Sequence, residues 1–377
     1  MKDSIFKIPI LPTELITRLP VKPLLQFKCV SKSWLALISS PEFIKTHLSV
    51  SANNKDYTHH MLVLFQLRHS GNGCQYNLKN CSVSSLLNDS VTEEYNLDYP
   101  MNNTRKNVQV VGSVNGLIFL AIGYTDLFLW NPSIRKFKKL PDSRPTLMRL
   151  DWHVDGFGYD EFHHDYKVVC IFSSRSSDQV EVNIYSLNCD SWKSVDYFQD
   201  KPRLYGSAKF VNGKLHWLAT AAGLNIYKGW NIFSFDLANE EWGKVEQPCY
   251  EEDIISSVGV LGSDLLVFSN YLRSHRSHVD VWVLKDYGVK ESWTKMYTIK
   301  YPADLDKSLF SSGISPTLCM SNKGELLLVC RSIFMIYNPE DESIRYTKFA
   351  KFRSSIAANI YIESLICLLL PNEPSTF

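Results

Sequence analysis

Two hydrophobic periodicities divide this chain. Between Leu11 and Leu48 apolar residues return every three or four positions; beyond Asn53 they fall into short runs set off by turn residues. In the first region Leu11, Leu15, Ile16 and Leu19 stand at i, i+4, i+5 and i+8, with Pro12 and Thr13 near the start and Pro20 at the end. That spacing predicts a helix. A second is predicted over Pro23–Phe27, where Pro23 sits in the first turn and its missing N–H costs nothing. A third covers Ser31–Ile38, with Val30, Trp34, Leu37 and Ile38 on one face, and a fourth begins at Pro41 and carries Phe43, Ile44 and Leu48. The stretch from Leu19 to Trp34 packs Leu19, Val21, Leu24, Leu25, Phe27, Val30 and Trp34 into sixteen positions. A module of about forty residues builds little core of its own. So many large apolar groups in so short a piece point to a partner that covers some of them.

Past a polar connection at SANNKD, with the boundary near residues 50–58, a unit recurs. Its first half is a turn and an apolar strand: VNGLIFLA (114–121), VNGKLHWLA (211–219), LGSDLLVFS (261–269) and NKGELLLVC (322–330). Its second half is an alternating strand, a tight turn and an aromatic or apolar residue, as in LFLWNPSIRKF (127–137) and NIFSFDLANEEW (231–242). The aromatic closing the alternating strand falls at Tyr76, Trp130, Tyr185, Phe235, Trp282 and Tyr337, at intervals of 54, 55, 50, 47 and 55 residues. Asn115-Gly116 and Asn212-Gly213 suit two-residue hairpins that need positive φ twice. Asn-Pro at 131–132 and 338–339 suits a type I turn. A unit of this size cannot cover both faces of its sheet alone, and stacking such units around an axis does so. The fold expected is therefore mainly β, a propeller of about six four-stranded blades behind a small helical domain. The near-continuous apolar strands Leu117–Ala121, Leu265–Phe268 and Leu326–Val329 are expected to lie innermost. NIYIESLICL (359–368) is expected to pair with HMLVLFQL (60–67) and close the ring, removing an exposed edge.

The most specific part of the first region, RLPVKPLLQFKCVSKSW followed by LISSPEFIKTHL, resembles the F-box over Ile8 to about His47. The F-box is the motif by which substrate receptors attach to the Skp adaptor of SCF (Skp–cullin–F-box) ubiquitin ligases, and this form is typical of large plant families. The resemblance implies that Leu11, Pro12, Leu15, Ile16, Leu19, Pro20, Val21, Leu24, Leu25, Val30 and Trp34 are the adaptor-binding and core residues, with Lys28, Lys32 and Ser33 at the rim. Family members carry a longer spacer between the initial Leu-Pro and the Arg-Leu-Pro than the one between Leu11-Pro12 and Arg18. Either Ile8-Pro9 serves as the start, or the first helix has lost about one turn. The remainder resembles the F-box-associated, kelch-like region of the same proteins, through GSVNGLIFL, LWNPSIRKFKKLP, GFGYDEFHHDYKVV, VEVNIYSLNCDSWK, KFVNGKLHWLA, HVDVWVLKD and YIESL. The domains implied are an F-box over 6–50 and a substrate-recognising propeller over 58–370.

A function follows from the resemblance: a non-catalytic SCF substrate receptor that binds the Skp adaptor, through it the cullin and RING subunits, and an unidentified target protein. Pollen S-locus F-box proteins, receptors for cytotoxic ribonucleases, share the architecture. A ligand- or glycan-binding propeller with a decayed or non-proteolytic F-box is the alternative from another class, and a propeller oxidase is a third.

Composition narrows the choice. A net charge of +1, from 40 basic and 39 acidic residues, leaves no electrostatic footprint for nucleic acid or a membrane surface. Nine cysteines, no two closer than seven residues and none in a CxxC pair, argue against a disulfide framework or zinc ribbon and for reduced thiols in cytoplasm or nucleus. MKDSIFKIPILP makes a poor signal peptide, and Leu365–Leu370 is too short to span a bilayer. Neither GxSxG nor HExxH occurs. Neighbouring strand side chains point to opposite faces, so His59-His60 and His163-His164 are poor metal chelators, and the latter pair suits a hairpin loop. No cofactor or metal is expected. Gly112, Gly116, Gly156 and Gly158 read as turn markers. The repeat tryptophans Trp130, Trp192, Trp217, Trp242 and Trp282 read as packing between blades. Trp152 and Trp230, outside the repeat positions in expected loops, are the candidates for substrate contact. Loops near 141–155, 171–180, 197–206, 220–230, 248–257 and 270–278 vary most between units.

Overall fold

The computed structural model describes residues 13–70, 73–88, 92–101, 106–123, 125–142, 152–174, 179–198, 201–220, 230–249, 255–271, 278–301, 315–330, 333–347 and 356–368. Helices α1 (Thr13–Ile16), α2 (Val21–Lys28), α3 (Lys32–Ser39) and α4 (Pro41–Ala52) form the N-terminal module. Serines cap the last two: Ser31 Oγ accepts from the Trp34 N–H, and Ser40 Oγ from the Phe43 N–H, each at 3.2 Å. Helix α2 starts two residues before the predicted Pro23, because the extended Pro20 serves as its N-cap and Pro23 still falls in the first turn. Helix α4 continues to Ala52, so the polar connection begins at Asn53.

Six four-stranded antiparallel sheets follow, arranged as a six-bladed β-propeller. Blade 2, for example, runs outward through Val108–Val114, Leu117–Ile122, Asp126–Asn131 and Lys136–Lys139. Both Asn-Gly hairpins have the predicted geometry, with φ of 54° and 81° at Asn115-Gly116 and 52° and 73° at Asn212-Gly213. The turns from third to fourth strand share a second device. Asn131, Ser186, Asp236 and Asn338 each accept a backbone N–H two or three residues on. In each turn the fourth residue after the acceptor (Arg135, Asp190, Glu240 and Glu342) has positive φ. The marker aromatics then meet the residue seven positions later directly across the strands: Trp130 with Phe137, Tyr185 with Trp192, Phe235 with Trp242 and Tyr337 with Ile344. The period seen in the sequence is thus a cross-strand pair.

Two expectations need correction. The apolar runs at Leu117, Leu265 and Leu326 belong to second strands, one step out from the axis. Every residue of Leu117–Ile122 is buried, because neighbouring blades cover both of its faces. The innermost strands instead line an axial channel and carry polar residues such as Gln109, Ser207 and Asn359. Gly156 and Gly158 are not turn residues; they lie within the innermost strand of blade 3 (Trp152–Asp160). A Cβ there would come within 2.7 Å of Leu215 and 2.5 Å of Leu237 and Phe210, so glycine is what lets blades 3 and 4 approach.

The tryptophans hold neighbouring blades as expected, and with a regularity the spacing did not disclose. Trp192, Trp242 and Trp293, each on an outermost strand, donate Nε1–H to Pro141 O, Asp196 O and Glu246 O at 2.9, 2.9 and 2.7 Å. Each acceptor lies one or two residues past the outermost strand of the preceding blade. Three successive blade interfaces, from blade 2 to blade 5, are stapled by one repeated contact.

Blade 1 is closed by the end of the chain. Ile356–Ile362 pairs antiparallel with His60–Gln66 and becomes the innermost strand beside His60–Ser70, Gly73–Ser82 and Tyr95–Asn96. The strand stops at Ile362, short of the predicted Leu368, because residues 363–368 turn to run along blade 2. Asn131, fully buried, donates Nδ2–H to Ser364 O, Ser364 Oγ and Ile366 O at 3.1, 3.1 and 2.9 Å. A Cβ on Gly116 would lie 2.4 Å from Ser364 Oγ. This tail carries Leu365 into the core of the helical module, among Ile16, Val21, Leu24, Trp34, Ile38 and Phe43.

Three buried histidines complete the junction. His47 Nε2 bonds Leu19 O at 2.9 Å, and its ring stacks on His59 at 5.7 Å. His59 Nδ1 bonds Ser51 Oγ at 2.6 Å, and the Glu363 N–H donates to His59 O at 2.8 Å. Burial lowers the pKa of His47 and His59 and takes that of His60 down to about 4.

Asn131→Ala leaves the carbonyls of Ser364 and Ile366 without these donors. It is expected to cost about 2–4 kcal/mol, read by urea unfolding, and to expose the C-terminal tail to limited proteolysis. Acid should act at the same place. His60 titrates near 6.5 when unfolded and about 4 when folded, so the unfolded chain binds more protons between those values. Stability is full above pH 6.5 and falls as pH drops toward 4, by about 3 kcal/mol from His60 alone. Unfolding curves across this range should show the slope in the wild type and a shallower one in His60→Gln.

Candidate docking site

The predicted adaptor-binding residues divide into two groups by burial. Ile16, Val21 and Leu24 are fully buried and Trp34 nearly so, inside the module's own core. Leu19 and Leu25 are half-buried and pack against that core, while Pro20 is exposed. Leu15 and Val30 stand 54% and 53% exposed. Leu11 and Pro12 lie outside the described residues. The helical spacing explains the split, since Trp34 and Ile38 one turn apart face inward and a residue beside them must face out. That residue is Leu35, 48% exposed and missed by a reading that assigned α3 a single apolar face. The two-faced pattern of KSWLALIS is the signal that marks it.

Exposed apolar residues are normal singly and informative when concentrated. Among the described residues nine large hydrophobics are prominently exposed, and three of them, Leu15, Val30 and Leu35, fall within 21 positions of the helical module. At the predicted rim Lys32 and Ser33 are exposed, whereas Lys28 is half-buried and burial lowers its pKa. The module therefore presents a greasy surface of its own while its core is shared with the propeller through Leu365.

Strand polarity fixes which propeller face is free. The first-to-second turn at Gly116 and the third-to-fourth turn at Asn131 abut the tail at 362–366, and so lie on the helical side. In an antiparallel four-stranded blade the second-to-third and blade-to-blade connections must then leave from the opposite face. Strand ends at Ser174, Gln179, Thr220, Trp230, Tyr271 and His278 stand there. They lead into segments predicted to vary, whose residues 143–151, 175–178, 199–200, 221–229, 250–254 and 272–277 are outside the described set.

Neither candidate tryptophan lies in a loop. Trp152 opens the innermost strand of blade 3, opposite Ser173. Trp230 opens the third strand of blade 4, opposite Thr220, and is 3% exposed in the cluster between blades 4 and 5 that includes Val258 and Val267. It is a packing residue, because the alternating strand starts one position earlier than its spacing suggested. Of the histidine pairs, His163-His164 sits in the hairpin turn after Asp160, and His163 Nδ1 bonds Asp160 Oδ2 at 2.6 Å. Among the described residues no three metal-capable side chains come together. No helix among them is long and apolar enough to cross a membrane.

The F-box-associated beta propeller domain family matches residues 55–368, and the F-box domain family matches residues 13–46. The chain is 30% identical to the F-box/kelch-repeat protein At3g23880 of Arabidopsis thaliana, over 96% of this chain and 94% of that protein. It is 31% identical to the F-box protein CPR1 of Arabidopsis thaliana, over 94% of this chain and 87% of that one. Among solved structures, TolB from Acinetobacter baumannii is similar with a TM-score of 0.50 at 11% identity, covering 86% of this chain and 73% of that chain. That last likeness concerns the fold alone.

Proposed function

The chain belongs to the F-box proteins that carry an F-box-associated β-propeller domain, and from that premise we propose that it is the substrate-recognition subunit of an SCF ubiquitin ligase. The observation that supports this most is the concentration of Leu15, Val30 and Leu35 on the helical module, away from the core it shares with the propeller. In this reading those side chains enter a pocket of the Skp adaptor, with Leu19, Pro20 and Leu25 beside them. Cullin and RING subunits join through the adaptor. Ile16, Val21, Leu24 and Trp34 hold the helices in register and act on docking only through the exposed set.

The target protein meets the face opposite the helices, from which the second-to-third and blade-to-blade connections leave. Leu365 and the Asn131 contacts join the two ends, so a target on that face is held at a fixed position relative to the adaptor. The contribution to ubiquitin transfer is proximity and orientation, with the bond chemistry done elsewhere in the complex.

Leu15→Asp combined with Leu35→Asp is expected to weaken binding to a purified Skp adaptor at least tenfold, as a desolvated anchor is worth more than about 1.4 kcal/mol. Both positions are exposed, so the melting temperature should stay within a few degrees. Leu24→Asp should instead unfold the helical module. Unchanged adaptor affinity in the double variant, measured by calorimetry, would refute the docking face.

A further inference from the structure

The axial channel is electrostatically unbalanced. A cavity of about 610 Å³ opens between Asn107–Val111, Tyr205–Lys209, Ser257, Val258 and Asn359, and one of about 670 Å³ continues it beneath Ala52 and Tyr57. Lys209 lines both, and among the described lining residues of either it is the only lysine, arginine, aspartate or glutamate. Its Nζ has no hydrogen bond or ion pair among the described residues. Burial lowers its pKa with no neighbouring charge to offset it. The other lysine held inside the propeller is treated differently: Lys167 has Asp160 and Glu240 at 2.9 and 3.2 Å. Lys209 is half-buried and presents its ammonium to the channel without a counter-ion among the described residues, whereas the fold supplies two carboxylates to the buried Lys167.

Two further features sit at the same place. The innermost strand of blade 4 (Arg203–Val211) loses register between Tyr205 and Lys209, and that of blade 2 between Val110 and Gly112. Bulges of this kind concentrate beside binding sites, where they re-aim side chains. Ser257 Oγ, buried in the wall, also has no hydrogen-bond partner. His216 next to them is no second cation, since its nitrogens bond Tyr287 Oη at 2.7 Å and Lys209 O at 3.2 Å and burial takes its pKa down to about 4. Asn107, Gln109, Ser207 and Asn359 add neutral polar groups to the wall, and Val108, Leu218 and Val258 give it an apolar side. A cavity of several hundred Å³ that sets converging polar groups beside an apolar wall has the make-up of a small-molecule site.

We propose that the mouth of this channel, on the face away from the helices, binds a small organic anion whose carboxylate or phosphate pairs with Lys209. Ser257 offers a second donor, and the apolar part of the ligand lies along Val108, Leu218 and Val258. The test is thermal unfolding of the full chain titrated with inorganic phosphate or with benzoate, against chloride at equal ionic strength. At least one anion should raise the wild-type midpoint saturably. That rise should vanish in Lys209→Met and persist in Lys209→Arg, and the anion that acts tells phosphate from carboxylate. Without either anion Lys209→Met should melt no lower than the wild type, because an uncompensated charge has been removed. A rise that is absent from the wild type or equal in both variants overturns the site. So does a Lys209→Met protein that melts lower or fails to fold, which would make the lysine structural.

Discussion

The pairing of Ile356–Ile362 with His60–Gln66 is the contact on which the rest of the molecule depends. A ring of sheets has two open edges until its ends meet, and an unpaired edge invites association with other chains. Closing across nearly the whole chain is less costly than it looks. Closure entropy grows only with the logarithm of loop length, about 0.6 kcal/mol for each doubling. What the long separation does cost is speed, since non-local pairings form late. The indole staples from Trp192, Trp242 and Trp293 join the middle blades through contacts that involve neither end of the chain.

The same segment does a second job. Past Ile362 the chain runs along blade 2, where it meets Gly116 and is held by Asn131, places Leu365 in the helical core and sends Leu368 into the core between blades 2 and 3. The helices thus lack a complete core until the ring has closed. Closure and assembly of the N-terminal module become one cooperative event, and the two ends of the protein cannot swing independently. That coupling makes the opposite face of the propeller a platform at a defined distance and angle from the helices.

Much of this was legible in the residues, and the exceptions share a cause. Turn chemistry and the aromatic period are local properties, so the blade count, the Asn-Gly hairpins and the closing pair could all be read from spacing. What spacing does not encode is which neighbour a strand receives. Leu117–Ile122 announces burial on both faces, and burial of that kind suits a second strand between two blades better than an innermost strand facing a channel. Gly156 and Gly158 look like punctuation, yet their role is the approach of another blade. Leu365 looks like a continuing strand residue, and only the turn at Ile362 sends it into the helices. Trp230 fails by one position, and Leu35 went unread beside Trp34, since a single residue's shift moves a side chain across a strand or around a helix.

The division of polarity along each blade has a functional consequence. Second and third strands are sealed between neighbours and answer mainly to packing, as the continuous burial of Leu117–Ile122 and Asp126–Asn131 illustrates. On the innermost strands the side chains that face the axis can change type without disturbing the stack, whereas those that face a neighbouring blade, such as Gly156 and Gly158, cannot. Blades built this way can vary at the rim and along the channel mouth away from the helices while keeping one scaffold. The freedom is limited where a side chain serves two ends at once, as Asn131 does, and there a single substitution is felt in both the ring and the docking helices.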